Sequence, residues 1–349
     1  MPALTTSHGS GAPHPWVSLS DEALLEYRLC DLGLRTEGTA LERRVDRLYD
    51  ELLRAGLRFR PYVWLSTDWF TPDGHTGFAV PFYLAHPRLA HLERRQMYAV
   101  EGGNHETCMR LLRHEAAHAL DNAYRLHWRK RWREVFGRAS EPYRWRYVPD
   151  PESTDHVVNL DNWYAQSHPV EDFAETFAVW LRPGSRWRQE YAGWPEALRK
   201  LWFVDELMEE VAAAPPRVRT RARPESLGSL RFTLREYYRR KQAFYGEHDR
   251  SVYDRDLLRL FSDDAAFVGR NSAAALLREF RTELRSRVTH WTGQYAFVVE
   301  EVLQQMILRA RELRLRVYYS ERETIQDAAI VLTVHTMRHV RRGHWEYQR

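Results

Sequence analysis

The segment Val170 to Leu181 places the tightest restriction on what this chain can fold into. Eight of its twelve residues are apolar, yet it also carries Glu171, Asp172 and Glu175. An apolar density of that order belongs to a largely buried helix. His168-Pro169 fits the start of such a helix, because proline in the first turn lacks an N–H that would have no partner there anyway. A buried carboxylate is costly unless a metal ion or hydrogen-bond donors compensate it. Any fold of this chain must therefore bring such partners to the helix. Glu171 and Glu175 lie one turn apart on one face, so one can bind a metal while the other hydrogen-bonds a ligand of that metal.

A matching set of ligands lies upstream. Leu111-Leu-Arg-His114-Glu115-Ala-Ala-His118-Ala-Leu is an H-E-x-x-H pattern inside a helical stretch expected from Cys108 to Trp132. Four residues make just over one turn, so His114 and His118 point the same way and can share one ion. Glu115 sits beside that ion without binding it, where it can take a proton from water. Met109, Leu112, Ala116 and Ala119 make the opposite side apolar, so the helix is expected to be packed. Sixteen histidines give such a pattern by chance in roughly one chain of this kind in twenty, so context must carry the reading. Zinc suits two imidazoles plus one carboxylate, with a fourth position left for water.

The third ligand sets the class. A metzincin needs glycine at 121 and histidine or aspartate at 124, where this chain has Asp121 and Tyr124. A deformylase-type site needs a cysteine ligand from another segment; Cys108 lies on the same helix, turned away, and Cys30 has no supporting motif. A base deaminase needs a C-x-x-C pair, which is absent. What remains is the gluzincin arrangement, in which a glutamate of a later helix completes the site. Glu171 and Glu175 are the two candidates on that helix, and their spacing leaves either one as the ligand with the other behind it.

Leu112-Arg-His-Glu-Ala-Ala-His-Ala-Leu-Asp together with Tyr164-Ala-Gln-Ser-His-Pro-Val-Glu-Asp-Phe-Ala-Glu-Thr-Phe-Ala resembles a bacterial family of zinc-binding metallopeptidases. The resemblance covers about residues 60–210. More distantly, the chain is similar to zincins of the lethal-factor and Pro-Pro endopeptidase type, which carry a tyrosine seven residues before the glutamate ligand, where Tyr164 stands relative to Glu171. The resemblance implies one zinc ion on His114, His118 and Glu171, with Glu115 as base and Glu175 behind the ligands. It also implies that Tyr164 steadies the oxyanion. Apart from the resemblance, His168 is the reserve candidate for that task. The implied activity is peptide-bond hydrolysis on a peptide or protein substrate, in an α+β zincin-like fold. A catalytically inactive zinc scaffold is the competing reading, which intact Glu115 disfavours.

Around these motifs the chain divides by composition. Residues 1–16 are polar, rich in Gly, Pro and Ser, and lack a signal-peptide pattern; they are expected to form a flexible tail on a cytoplasmic enzyme. Residues 17–212 form the expected catalytic domain, with a helix from Ala40 to Gly56, strands at Tyr62–Leu65 and Gly77–Leu84, and helices at Pro169–Leu181 and Pro195–Ala212. The segment Gly77–Leu84 is a candidate to pair with a substrate backbone as an added strand. Residues 213–228 read as a linker, and 229–349 as a helical C-terminal region with helices at 230–245, 273–287, 295–313 and 323–340. No apolar run approaches the length of a membrane span.

Basic residues number 52, of which only Lys130, Lys200 and Lys241 are lysine. The arginine bias runs through the whole chain and net charge is +4, so composition does not mark a nucleic-acid binder. The stretch 125–146, basic and interleaved with Trp128, Trp132 and Trp145, is the one local candidate for that role, and an exosite is the most it suggests. His335 and His339 form a second i,i+4 pair, but no acid supports them, so the expectation is a helix end with cationic residues.

Overall fold

The computed structural model describes residues 14–143, 147, 149–244 and 250–342. The chain forms two compact units, the first from residues up to Glu93 and from Val100–Tyr238, the second from Arg94–Ala99 and residues from Arg239 onward. The boundary after 238 lies beyond the expected linker. The fold is mostly helical with one small sheet, in keeping with α+β.

The first unit opens with α1 (Asp21–Leu25) and α2 (Ala40–Arg54). Thr39 caps α2 by accepting the Glu42 N–H at 3.1 Å, and Leu41, Val45, Leu48 and Leu52 form its buried stripe, as the spacing anticipates. Trp16, placed by composition in a flexible tail, is buried instead, and its indole N–H donates to the Leu32 carbonyl at 2.9 Å. Residues 1–13 of that expected tail lie outside the described residues.

Strands β1 (Tyr62–Ser66) and β2 (Gly77–Pro81) pair in parallel, with Tyr62 opposite Gly77. A Cβ at Gly77 would stand 2.2 Å from the Tyr62 carbonyl oxygen, so only glycine permits this approach. The expected strand 77–84 stops at Pro81, and Phe82–Ala85 turns into a 3₁₀ helix. Every residue of β2 is buried, and the Ala79 N–H donates to the Phe70 carbonyl at 2.8 Å. With Phe70 bridged on one side and β1 paired with it, β2 offers no free edge to a substrate strand. That expectation is corrected.

After α3 (Pro87–Met97) comes α4 (His105–Tyr124), which carries the H-E-x-x-H residues. Asn104 caps it, accepting the Thr107 N–H at 2.8 Å. The helix was expected to reach Trp132 but ends at Tyr124, with Arg125 left-handed at φ 53°. Asp121 draws the chain aside, accepting the His127 N–H at 2.8 Å and facing its Nδ1 at 2.9 Å. The pattern then resumes as α5 (Lys130–Phe136).

Helix α6 (Pro169–Leu181) follows the predicted bounds, and its Phe173 and Phe177 lie in a buried aromatic group with Trp132 and Phe136. The short α7 (Trp187–Glu190) leads to α8 (Pro195–Ala212), which braces α6 from behind. Trp180 donates to Asp205 at 2.7 Å, and Lys200, one of three lysines, pairs with buried Asp172 at 2.7 Å. On the other side Arg113 of α4 meets Glu51 of α2 through two hydrogen bonds, at 2.8 and 3.1 Å.

The segment 213–228 is bound to this unit along its length. The Arg217 and Val218 N–H groups donate to the Ala123 carbonyl, and the Thr220, Ala222, Pro224 and Glu225 carbonyls accept from Thr76, Tyr62, Trp64 and Ser66. Its proline and arginine content suggests a linker because such a chain makes no core; it holds on through backbone carbonyls, which composition does not reveal. Helix α9 (Leu234–Phe244) spans the boundary between the units.

The second unit contains α10 (Asp254–Leu260), α11 (Ala273–Glu279), α12 (Arg281–Thr292), α13 (Ala296–Glu312) and α14 (Glu321–Arg342). Val299, Val302, Met306 and Ala310 of α13 lie in its core, as their spacing indicates. The expected helix 273–287 is broken at Phe280 into α11 and α12. Glu300 is buried on α13 and pairs with Arg281 and, at 2.6 Å, Arg285. His335 is buried with its Nε2 at 3.0 Å from Asp256, against the Tyr253 ring.

Two substitutions test this account. Gly77→Ala must push β1 from β2 and should cost about 1–3 kcal/mol, the range for overpacking. Glu51→Ala leaves the buried Arg113 guanidinium unpaired and should cost about 3–5 kcal/mol. Urea denaturation monitored by circular dichroism reads both, and wild-type midpoints would contradict the two contacts.

Candidate metal centre

His114 and His118 project from one face of α4 toward Glu171 in the first turn of α6. Their Nε2 atoms are 3.0 Å apart, and Glu171 Oε2 lies 3.1 Å from the first and 3.3 Å from the second. These three residues form a group that can hold a metal ion. His114 and Glu171 are buried, and His118 is partly so.

The donor set fits an ion on spacing as well as chemistry. A tetrahedral ion with bonds of about 2.0–2.1 Å separates its ligands by about 3.3–3.4 Å, which the observed triangle approaches. His114 Nδ1 lies 2.8 Å from Glu175 Oε1, so its proton sits on Nδ1 and the Nε2 lone pair faces the cluster. Three lone pairs converging on one point repel unless a proton or a cation lies between them. Burial alone would lower His114, but Glu171 and Glu175 outweigh it and hold the imidazole well above its usual range. Burial likewise opposes ionisation of Glu171, yet the two imidazoles hold its carboxyl well below the ordinary range. The cluster is therefore built to stabilise positive charge at its centre.

Glu175 is the support behind the ligands. It has no exposed surface, and its oxygens accept from His114 Nδ1, from Asn159 Nδ2 at 2.9 Å and from the Leu160 N–H at 2.7 Å. Of the two orders left open by the sequence, the geometry places Glu171 on the cluster and Glu175 behind it.

Glu115 points to the side of α4 where Thr71 sits, and the Thr71 hydroxyl donates to its Oε2 at 2.8 Å. Among the described residues its Oε1 has no hydrogen-bond partner. Burial raises its carboxyl above the ordinary glutamate range, against the opposing pull of His114, His118 and Thr71.

The remaining candidates separate. The Tyr164 ring lies 5.6 Å from that of His114, beside the cluster. His168 is engaged at both nitrogens: Nε2–H donates to the Glu141 carbonyl at 2.7 Å, and Nδ1 accepts the Val170 N–H at 3.3 Å as the cap of α6. It therefore has no proton to offer a substrate. Its ring stacks on Tyr143, 3.9 Å between centroids, and the Tyr143 hydroxyl donates to Glu171 Oε1 at 2.8 Å. Burial and the Glu171 carboxylate push the Tyr143 phenol far up, so it acts as a donor only.

Tyr143, Thr71 and Asn159 are the residues that sequence reasoning missed. They lie on irregular segments, where no periodicity ties them to the motifs. The basic stretch 125–146 resolves differently from its composition. Trp132 is buried, Arg129 and Arg131 pair with Glu210 and Glu206 at 2.7 and 2.8 Å, and residues 144–146 lie outside the described residues. No helix among the described residues is long and apolar enough to cross a membrane. No protein-family profile, no curated protein and no solved structure matches this chain.

Metal analysis of variants tests the assignment of ligands. Glu171→Ala should abolish retention of a stoichiometric ion on dialysis, whereas Glu175→Gln should weaken it roughly 10–100-fold, as loss of an orienting partner does. The opposite ranking would exchange their roles.

Proposed function

We propose that the chain is a zinc-dependent metallopeptidase of gluzincin type, with a zincin-like catalytic region. The observation that carries this reading is the position of Glu115. A carboxylate with one oxygen held by Thr71 and the other without a partner stands next to a ready-made three-ligand site. A structural site closes its fourth position with another protein ligand; among the described residues three ligands converge, which is the pattern of catalytic zinc.

Zinc bound by His114, His118 and Glu171 would supply a Lewis acid that polarises a water and a substrate carbonyl. The work of the chain's own residues follows from their positions. Glu115 Oε1 accepts the water's proton and later delivers it to the leaving amine. Tyr164, beside the His114 ring, is the proposed hydroxyl donor to the oxyanion. Tyr143 holds Glu171 through Oε1 and leaves Oε2 to the ion. His168, the reserve candidate for oxyanion donor, starts α6 and seats Tyr143 in this reading. The substrate is a peptide or protein chain.

Glu115→Gln should retain the ion and lose hydrolysis. The readout is new peptide termini when purified protein is incubated with a cell-extract proteome. Wild type and variant giving the same termini would sink the enzymatic reading and leave a zinc scaffold. Tyr164→Phe should lower kcat by roughly 10²–10³-fold at unchanged metal content, the range for losing one oxyanion donor. Tyr143→Phe should loosen the metal, and a kcat loss larger than that of Tyr164→Phe at full metal loading would transfer the oxyanion role to Tyr143.

A further inference from the structure

The segment that crosses the outside of β1 carries Arg217, Arg219, Arg221 and Arg223 at every second position. All four side chains are exposed, while the intervening Val218 and Thr220 are half-buried. Among the described residues no carboxylate pairs with any of the four. Elsewhere in this unit exposed or half-buried arginines do pair with acids, as Arg129, Arg131, Arg182 and Arg188 do. The only acid between 213 and 228 is Glu225, at the far end of the row.

The spacing of the row is fixed by the strand beneath it. Tyr62 and Trp64, two residues apart on β1, donate to the carbonyls of Ala222 and Pro224, also two residues apart. The segment thus advances at the pitch of a β-strand, about 6.7 Å for every two residues. Thr76 holds the Thr220 carbonyl and Ala123 anchors Arg217 and Val218, so the backbone is pinned at both ends. Pro215, Pro216 and Pro224 stiffen it further. The result is four exposed arginines at alternate positions, without carboxylate partners among the described residues, on a backbone fixed before any partner arrives.

We propose that this row is a docking surface for an extended, acidic polypeptide segment whose carboxylates alternate with other residues. An extended peptide repeats its side chains on one face at the same two-residue pitch, so successive acids can meet successive arginines. Single-stranded nucleic acid shares the charge, but its sequence-tolerant binding relies on aromatic faces open to the bases. The aromatics beneath the row are engaged with each other: Trp64 is buried, and Tyr62 stacks on it with 5.4 Å between ring centroids. The surface stands on the geometry of 217–224 and does not depend on hydrolysis.

The test is fluorescence anisotropy with the full-length Glu115→Gln protein, which keeps the probe intact whether or not the chain is a peptidase. The probe is a labelled decapeptide alternating glutamate and alanine. Its comparators are a peptide of equal composition with the glutamates in one block, and oligothymidylate. Exchanging Arg217, Arg219, Arg221 and Arg223 together for glutamine should raise the Kd for the alternating peptide roughly tenfold or more. Exchanging Arg255, Arg278, Arg311 and Arg322 of the second unit, an equal loss of charge, should leave it unchanged. The block peptide should bind several-fold more weakly than the alternating one. Equal losses in the two quadruple variants, or equal binding of the two peptides, would reduce the surface to general charge and overturn the proposal. Tighter binding of oligothymidylate would also overturn it, in favour of nucleic acid. Circular dichroism confirms that the exchanged side chains, all exposed, leave the fold intact.

Discussion

A carboxylate with no exposed surface must have its lone pairs met inside the protein, and Glu175 imposes that condition on everything around it. Its partners come from three places: His114 on α4, Asn159, and the Leu160 backbone ahead of α6. Satisfying them fixes the distance between the two helices and the tautomer of His114 together. With the Nδ1 proton given to Glu175, the neutral ring presents its Nε2 lone pair to the cluster beside His118 and Glu171, where a proton or a cation is stabilised. Loss of the Glu175 carboxylate would leave three donors without their acceptor, at a cost of about 1–3 kcal/mol for each buried one.

The second constraint is mechanical. Helix α6 is apolar enough to be buried on nearly every side, so its acids must each face a chosen partner. Glu171 meets the imidazoles, Glu175 meets His114 from behind, and Asp172 meets Lys200 from α8. Burial still pushes the Asp172 carboxyl up to about 7, which shows how dry this helix is even beside an ammonium group. On the opposite flank the Arg113–Glu51 pair ties α4 to α2. The metal residues are thus held by elements braced on both outer sides, which is what a site needs to keep ligand geometry without an ion in place.

Much of this was legible in the sequence because its signals are periodic. The i,i+4 histidines, the two glutamates one turn apart and the proline after His168 specify helices and faces, and α6 and α8 start and end at the predicted residues. The stripe of α13 was readable for the same reason. What escaped was carried by irregular chain. Thr71, Tyr143 and Asn159 reach the site from loops, where only tertiary structure decides which side chain arrives. The break after Tyr124 depends on Asp121 turning to His127, an exchange of hydrogen bonds with no sequence period. Segment 213–228 looked like a linker because its hold on the unit is through carbonyls, which every residue has. β2 looked available to a substrate strand because the bridge to Phe70 comes from a loop.

The central claim is that His114, His118 and Glu171 hold one zinc ion with a position left open. Zinc-edge X-ray absorption on the purified full-length protein addresses it directly. The account predicts one ion per chain, nitrogen and oxygen neighbours at about 2.0–2.1 Å, no sulfur shell, and a signal from two imidazoles. A sulfur neighbour at about 2.3 Å, or a protein that holds no stoichiometric metal after loading, would contradict it.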